Sequence, residues 1–243
     1  MKNNRLTETK IGTAKVIVDI IPKGKCVPNS KITPTSITIH QTGNIGASAK
    51  NNHNYMKNIN KNGSRIASWH FTVGYDEIYQ AQSTNYKTYH AGCTSGNNSS
   101  IGIEICMYND KTKQVQAYKN AIELVKILMG YHKFSTSKVK RHYDWSKKHC
   151  PAWLIDGKYG YNWTWFKNQL TTTTTVKAEF KPYVVKILCN ELNIRKEASF
   201  ESEIVGVVKK GQAFTIVQEK NGLGKLKSGA GWISLGSKYV QKI

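Results

Sequence analysis

Cysteine is scarce in this chain: five in 243 residues, at Cys26, Cys93, Cys106, Cys150 and Cys189, odd in number and never in a C-x-x-C pair. That pattern indicates neither a disulfide framework nor a zinc finger, and leaves at least one thiol for other work. Long apolar runs are also missing, and nothing approaches the roughly 20 apolar residues of a membrane span. In the opening stretch, MKNNRLTETKIGTAKVIVDI, charge and polarity interrupt every segment that would serve as the apolar core of a secretory signal. The expectation is a chain that needs something other than a classical signal if it works outside the cell that makes it. Acidic residues are few, 15 against 36 Lys and Arg, for a formal net charge of +21. Such an excess calls for an anionic partner: nucleic acid, an anionic membrane surface or a polyanionic cell wall. Residues 171–243 carry 12 basic and 6 acidic residues, net +6, which leaves +15 on residues 1–170, so the charge belongs to the whole chain and not to one tail. No run interleaves basic and aromatic residues as common RNA-binding modules do, which weighs against nucleic acid.

What is present is enough for two cores, since an apolar share of 39% over this length supports one full domain and a small second one. Five consecutive threonines, residues 171–175, followed by VKAEFKP, have no periodic apolar face, and Pro182 stops any helix through them. The domain boundary is placed there. Upstream, ITIH (37–40), HFTVG (70–74), EIYQAQ (77–82) and IGIEIC (101–106) read as strands. In residues 115–132, Tyr118, Ala121, Ile122, Val125, Leu128 and Met129 recur at three- and four-residue spacing, which predicts an amphipathic helix. A second, more polar helix is expected over 47–60. Strands mixed with helices indicate an α/β or α+β domain. Downstream, YVVKIL, EIVGVV, AFTIVQ and GWISL are short β-rich runs separated by turn residues, the pattern of a small all-β barrel.

Side chains alternate along a strand, so in ITIH the pair Ile37 and Ile39 takes one face and Thr38 and His40 the other. IGIEIC repeats this, with three isoleucines on one side and Gly102, Glu104 and Cys106 on the other. A lone glutamate in so apolar a strand is costly unless its face is a cleft. Farther on, RHYDWSKKHCP holds His142 and Cys150 at a spacing that suits a loop folding back on itself. With His40 they would make two imidazoles and a thiolate around a metal with a fourth position open, as a catalytic zinc site requires. A buried thiol beside a surface histidine is the alternative from spacing alone. His90 lies in the Gly/Ser/Asn-rich loop YHAGCTSGNNSS leading into the Glu104 strand, a common place for substrate contacts.

In order and approximate spacing, ITIHQTG, SWHFTVG, YHAG followed by IGIEIC, and RHYDWSKKHCP resemble the type-2 N-acetylmuramoyl-L-alanine amidases, zinc amidases of the peptidoglycan-recognition fold. The resemblance covers roughly residues 30–170, and its most specific part is H-x7-C-P with a lysine two residues before the cysteine. It implies an α/β catalytic domain with a mixed central sheet flanked by helices. It further implies Zn²⁺ on His40, His142 and Cys150, Glu104 as catalytic acid/base, and Lys148 as a cation near the developing oxyanion. Some members carry a tyrosine where this chain has Trp69, so proton transfer would fall to Glu104 and Trp69 would contact substrate. The residue after Cys-Pro, often glycine in the family, is Ala152 here.

LNIRKEAS (192–199), VGVVKKGQAFTIV (205–217) and GWISLGSKYVQKI (231–243) resemble a bacterial SH3-like domain, a small all-β barrel that binds cell wall in that family. Trp232 and Tyr239 are its candidate wall contacts, or alternatively fill the barrel core. The expected organisation is an amidase domain over 1–170, a linker over 171–182 and an SH3-like domain over 183–243. This combination resembles a phage endolysin, made in the bacterial host cytoplasm without a signal peptide and released to the wall through a separate pore; a bacterial autolysin would share its chemistry. Peptidoglycan and anionic wall polymers are the expected partners. A non-catalytic peptidoglycan receptor of the same fold is the competing reading, and binding-only relatives typically lose the thiol ligand that Cys150 supplies here.

Overall fold

The computed structural model describes residues 1–171, 180 and 182–243. The expected threonine-rich linker therefore lies largely outside the described residues. Two compact units emerge, Met1–Thr173 and Thr174–Ile243.

The first unit is built on a seven-stranded mixed sheet. In chain order its elements are β1 (Lys10–Ile11), β2 (Ala14–Val18), β3 (Ser36–Ile45), α1 (Ala49–Asn62), β4 (Phe71–Val73), β5 (Glu77–Gln80), α2 (Thr94–Ser99), β6 (Ser100–Met107), α3 (Lys111–His132), β7 (Val139–Arg141), α4 (His142–Ser146), α5 (Ala152–Ile155) and α6 (Trp163–Thr171). Across the sheet the order is β1-β2-β5-β4-β6-β3-β7. The three strands at the β7 edge, β6, β3 and β7, run parallel, whereas β4 meets β5 antiparallel. All four strands and both helices expected in this region form, with ends shifted by a few residues. The β1–β2 hairpin and the three short helices after β7 go beyond the sequence reading.

Helix α3 starts because the Asp110 carboxylate accepts from the Lys113 N–H at 3.0 Å, and it ends at Lys133 in the left-handed region (φ 56°). Its stripe of Ala117, Tyr118, Ala121, Leu124, Val125 and Leu128 is buried in one core with Ile101, Ile103 and Ile105 of β6. Trimming Leu128 to alanine there would cost about 2–5 kcal/mol. On the other face of β6, Asn52 of α1 reaches the Cys106 thiol at 3.7 Å. Helix α1 is capped by Ser48, whose hydroxyl accepts from Asn51 N–H, and stops at Gly63, where φ of 73° favours glycine.

The second unit is an all-antiparallel sheet of β8 (Tyr183–Ile187), β9 (Glu191–Arg195), β10 (Ile204–Lys209), β11 (Ala213–Lys220), β12 (Leu223–Leu226), β13 (Trp232–Ser234) and β14 (Val240–Lys242), ordered β10-β9-β13-β12-β11-β8-β14. Val185, Ile187, Leu192, Ile194, Ile216 and Ile233 are among its core residues. Among the described residues no helix is long and apolar enough to cross a membrane.

Candidate active site

The site is assembled by strand register. Residues paired across parallel strands point to the same face, and His40 of β3 is paired with Glu104 of β6, which is paired with Thr72 of β4. On the other side of β3, Ile39 is paired with Arg141, the last residue of β7, so the next residue, His142, arrives beside His40. Strand β7 passes directly into α4. Asp144 fixes that start by accepting from the Arg141 N–H at 2.8 Å and from its guanidinium at 2.6 Å. Helix α4 ends at Lys147, left-handed at φ 62°. The chain then doubles back, and the Tyr143 N–H donates to the Cys150 carbonyl at 3.0 Å. That return carries the thiol to the two imidazoles.

His40 Nδ1 lies 3.0 Å from His142 Nδ1 and 4.0 Å from Cys150 Sγ, and the three donor atoms all fall within 4.8 Å of one another. All three side chains are buried. The Gln41 N–H donates to Cys150 Sγ at 3.5 Å, while the Gln41 amide side chain ties the site to α3 and α5 through Tyr118 OH (3.1 Å) and Trp153 N–H (2.8 Å). His40, Gln41, His142 and Cys150 form the floor of a cleft of about 850 Å³, whose walls include Glu104, Lys148, Arg65, Trp69, Tyr89 and Asn97.

Residues 30–153, just over half of the chain, match the family described as N-acetylmuramoyl-L-alanine amidase (Amidase_2). The chain belongs to this amidase family. Among relatives, the N-acetylmuramoyl-L-alanine amidase XlyA of Bacillus subtilis (strain 168) is 42% identical over 146 residues, 58% of this chain and 48% of that protein. The amidase CwlH of the same organism is 36% identical over 160 residues, 64% of this chain and 60% of that protein. The solved catalytic domain of XlyA superposes with a TM-score of 0.57 at 40% identity, covering 65% of this chain and 99% of that domain. This chain thus spans between 37% and 65% of the length of the curated relatives it matches.

In this amidase-family cleft, burial governs the charge states. It holds His40 well below the ordinary histidine pKa, assisted by the His90 and His142 rings and the Lys148 cation, and lowers His142 to about 4, again with help from Lys148. Both imidazoles are therefore neutral near pH 7, with lone pairs available to a metal. Burial raises the Cys150 thiol to about 12, with Glu104 adding to the rise while the Gln41 N–H and Lys148 oppose it. Glu104 is pushed up to about 7, burial outweighing the Lys148 and Arg65 cations. Among the described residues its Oε2 has no hydrogen-bond partner. A half-buried carboxyl with one unpartnered oxygen, titrating near neutrality and facing a cleft, can take and return a proton.

The remaining expected residues are placed as follows. Lys148 is exposed and lines the cleft. Trp69 also lines it, but its indole N–H is committed to Thr72 Oγ1 at 2.7 Å, so it offers a substrate only its apolar ring. His90 lies at the cleft wall with both ring nitrogens engaged, Nδ1 at 2.9 Å from His40 Nε2 and Nε2 at 3.2 Å from the Ser100 carbonyl, so it has no free ring nitrogen for substrate. In the second unit Trp232 is buried with Ala198 and Leu223, and Tyr239 is half-buried against the main core of that sheet. The sequence reading passes over Arg65, an isolated cation in a loop with no pattern to mark it, and over Gln41, whose role depends on its backbone. Outside the cleft, His53, His132 and His149 meet Asp19 (3.0 Å), Thr84 Oγ1 (3.0 Å) and Asp156 (2.9 Å).

Proposed function

We propose that this chain is a zinc-dependent peptidoglycan hydrolase that cleaves the amide joining N-acetylmuramic acid to L-alanine. The observation that carries the reading is the meeting of two neutral imidazoles and a thiol beside Glu104, on the floor of a cleft in a member of this amidase family. A soft N₂S donor set suits zinc. Around a tetrahedral zinc the N···N and N···S edges are about 3.3 and 3.6 Å; the two separations from His40, 3.0 and 4.0 Å, are close to them, and the third lies within 4.8 Å. His40, His142 and Cys150 would hold the metal. When bound, zinc would supply Lewis acidity toward the amide carbonyl and lower the pKa of a coordinated water. Glu104 takes the proton of the attacking water on its carboxylate and gives it to the departing L-alanine amine. Lys148 adds positive charge where the oxyanion develops.

The second unit is read as an SH3-like wall-binding domain, on the strength of its sequence motifs and its small antiparallel architecture. With Trp232 buried, Tyr239 is left as the more accessible of the two proposed wall contacts. The whole chain is read as a phage endolysin, with a bacterial autolysin as the variant that shares its chemistry. The test is mass spectrometry of purified wall after digestion. Free L-alanine amino termini without new reducing sugars are expected; new reducing ends would identify a glycosidase and overturn the reading.

A further inference from the structure

Resting on that zinc reading, we infer that His90 is a positioning residue: it holds the proton of His40 on Nε2 and thereby directs the Nδ1 lone pair of His40 at the donor cluster. The argument begins at Ser100. Its carbonyl can only accept, so His90 Nε2, 3.2 Å away, carries the hydrogen. The Ser100 hydroxyl agrees, because it donates to the Gly96 carbonyl at 2.7 Å and so faces His90 Nε2 as an acceptor at 3.4 Å.

Among the described residues no carboxylate hydrogen-bonds to the buried His90 ring, and a buried imidazolium without an anionic partner is costly. The ring is therefore neutral and its Nδ1 is an acceptor. His40 Nε2, 2.9 Å from it, must then be the donor, which leaves the other nitrogen of a neutral His40 as a lone pair. That nitrogen is the one facing His142 Nδ1 and Cys150 Sγ.

The ring of His90 is held mechanically as well. A Cβ on Gly102 would come 2.7 Å from His90 Cγ and 2.9 Å from its Nδ1, so the ring rests directly on the β6 backbone. Asn97 Oδ1 accepts from the N–H groups of His90 at 2.9 Å and Ala91 at 2.8 Å, fixing the loop. Metal-binding histidines usually pass their second N–H to a carboxylate, carbonyl or water. Here a second imidazole intervenes and the backbone carbonyl anchors the pair, a two-ring relay that leaves the ligand cluster without an added negative charge.

The test uses the full chain, selectively labelled with ¹⁵N-histidine and freed of metal, together with zinc affinity measured by chelator competition. In wild type, His40 and His90 should both show the Nε2–H form. His90→Phe keeps a ring against Gly102 but removes the acceptor, and should weaken zinc binding by about 10–100-fold and release His40 from a single tautomer. His90→Asn puts a carbonyl oxygen near the former Nδ1 position and should recover most of the affinity, which a merely space-filling role would not. Wild-type affinity in His90→Phe, to within about twofold, or a predominantly Nδ1–H His40 in the wild-type chain, would overturn the relay. A wild-type chain that takes up no zinc would instead overturn the functional reading, and the His40 tautomer still decides the relay independently.

Discussion

His70 gives a stability prediction that follows from its partners alone. Its Nδ1 accepts from the Gly102 N–H at 2.9 Å, its Nε2 lies 2.8 Å from the Tyr86 carbonyl, and the Thr88 hydroxyl sits 3.1 Å from Nδ1. An obligate donor on one nitrogen and an obligate acceptor at the other fix the neutral Nε2–H form. Burial lowers its pKa from 6.5 to about 4; the Tyr86 carbonyl opposes that shift and His132 adds to it, while His90 is the other titratable ring nearby, at 6.2 Å between centroids. A second proton would have to displace the Gly102 N–H. Because the folded pKa lies below the unfolded one, the unfolded chain binds its proton first, and stability is lost as pH falls from 6.5 toward 4, then levels off. At about 1.4 kcal/mol per unit, the loss attributable to this ring is about 2 kcal/mol at pH 5.0 and about 3 kcal/mol below pH 4. His70→Asn keeps an acceptor for Gly102 but cannot titrate. Urea unfolding of both proteins at pH 7.5 and 5.0 isolates the effect, since the pH-independent cost of the lost Tyr86 contact cancels between pH values. Wild type should lose about 2 kcal/mol more than His70→Asn over that interval; equal losses would refute the argument.

Other outcomes follow from the site. Cys150→Ser replaces a thiolate by a weak neutral ligand, so the roughly one zinc per chain expected by elemental analysis should be lost together with wall lysis; a metal-free yet active variant would remove Cys150 from the site. Glu104→Gln should retain zinc and lower hydrolysis by about 10²-fold or more, with near-normal turnover excluding it as the base. Gly102→Ala forces a methyl against His90 and should weaken zinc binding without removing any ligand, as chelator competition would read. Cutting after Leu170 should leave cleavage of soluble muropeptides nearly unchanged and weaken lysis of intact cells, while fragment 176–243 should pull down with walls at high salt; if only 1–170 sediments, wall targeting belongs to the first unit.

Much of the first unit is legible in the sequence because its signals are local. Alternation in ITIH and IGIEIC gives strand and face together, and the three- and four-residue spacing around Tyr118 gives α3. His40, His142 and Cys150 could be grouped because residue type and an eight-residue return are visible in the chain, and the structure brings their donor atoms within 4.8 Å. What could not be read is register. Nothing in the sequence states that Ile39 stands opposite both Ile103 and Arg141, yet that alignment alone sets Glu104 and His142 on either side of His40. The polar contacts of His90 and His70 were illegible for a related reason: their partners are backbone groups of Ser100, Gly102 and Tyr86, and a backbone carbonyl leaves no mark in a sequence. Short helices such as α4 and α5 escape because four or five residues carry no period.

Register also explains how one site keeps groups with opposed electrostatic needs. Metal ligation requires neutral imidazoles, and a proton-accepting carboxyl works best with a pKa near the working pH. Desolvation serves both, since it disfavours the charged form of each: it lowers His40 and His142 and raises Glu104. Lys148 then divides the effect. Its cation lowers the histidines further and pulls Glu104 down against the rise from burial, so the carboxyl stops at about 7 and stays able to ionise. Replacing Lys148 by alanine would therefore do more than remove charge from the oxyanion. The Glu104 pKa should rise, moving the acid limb of the rate profile to higher pH in the metal-loaded enzyme. A pH–rate profile whose limb stays in place, with only its plateau lowered, would confine Lys148 to the oxyanion.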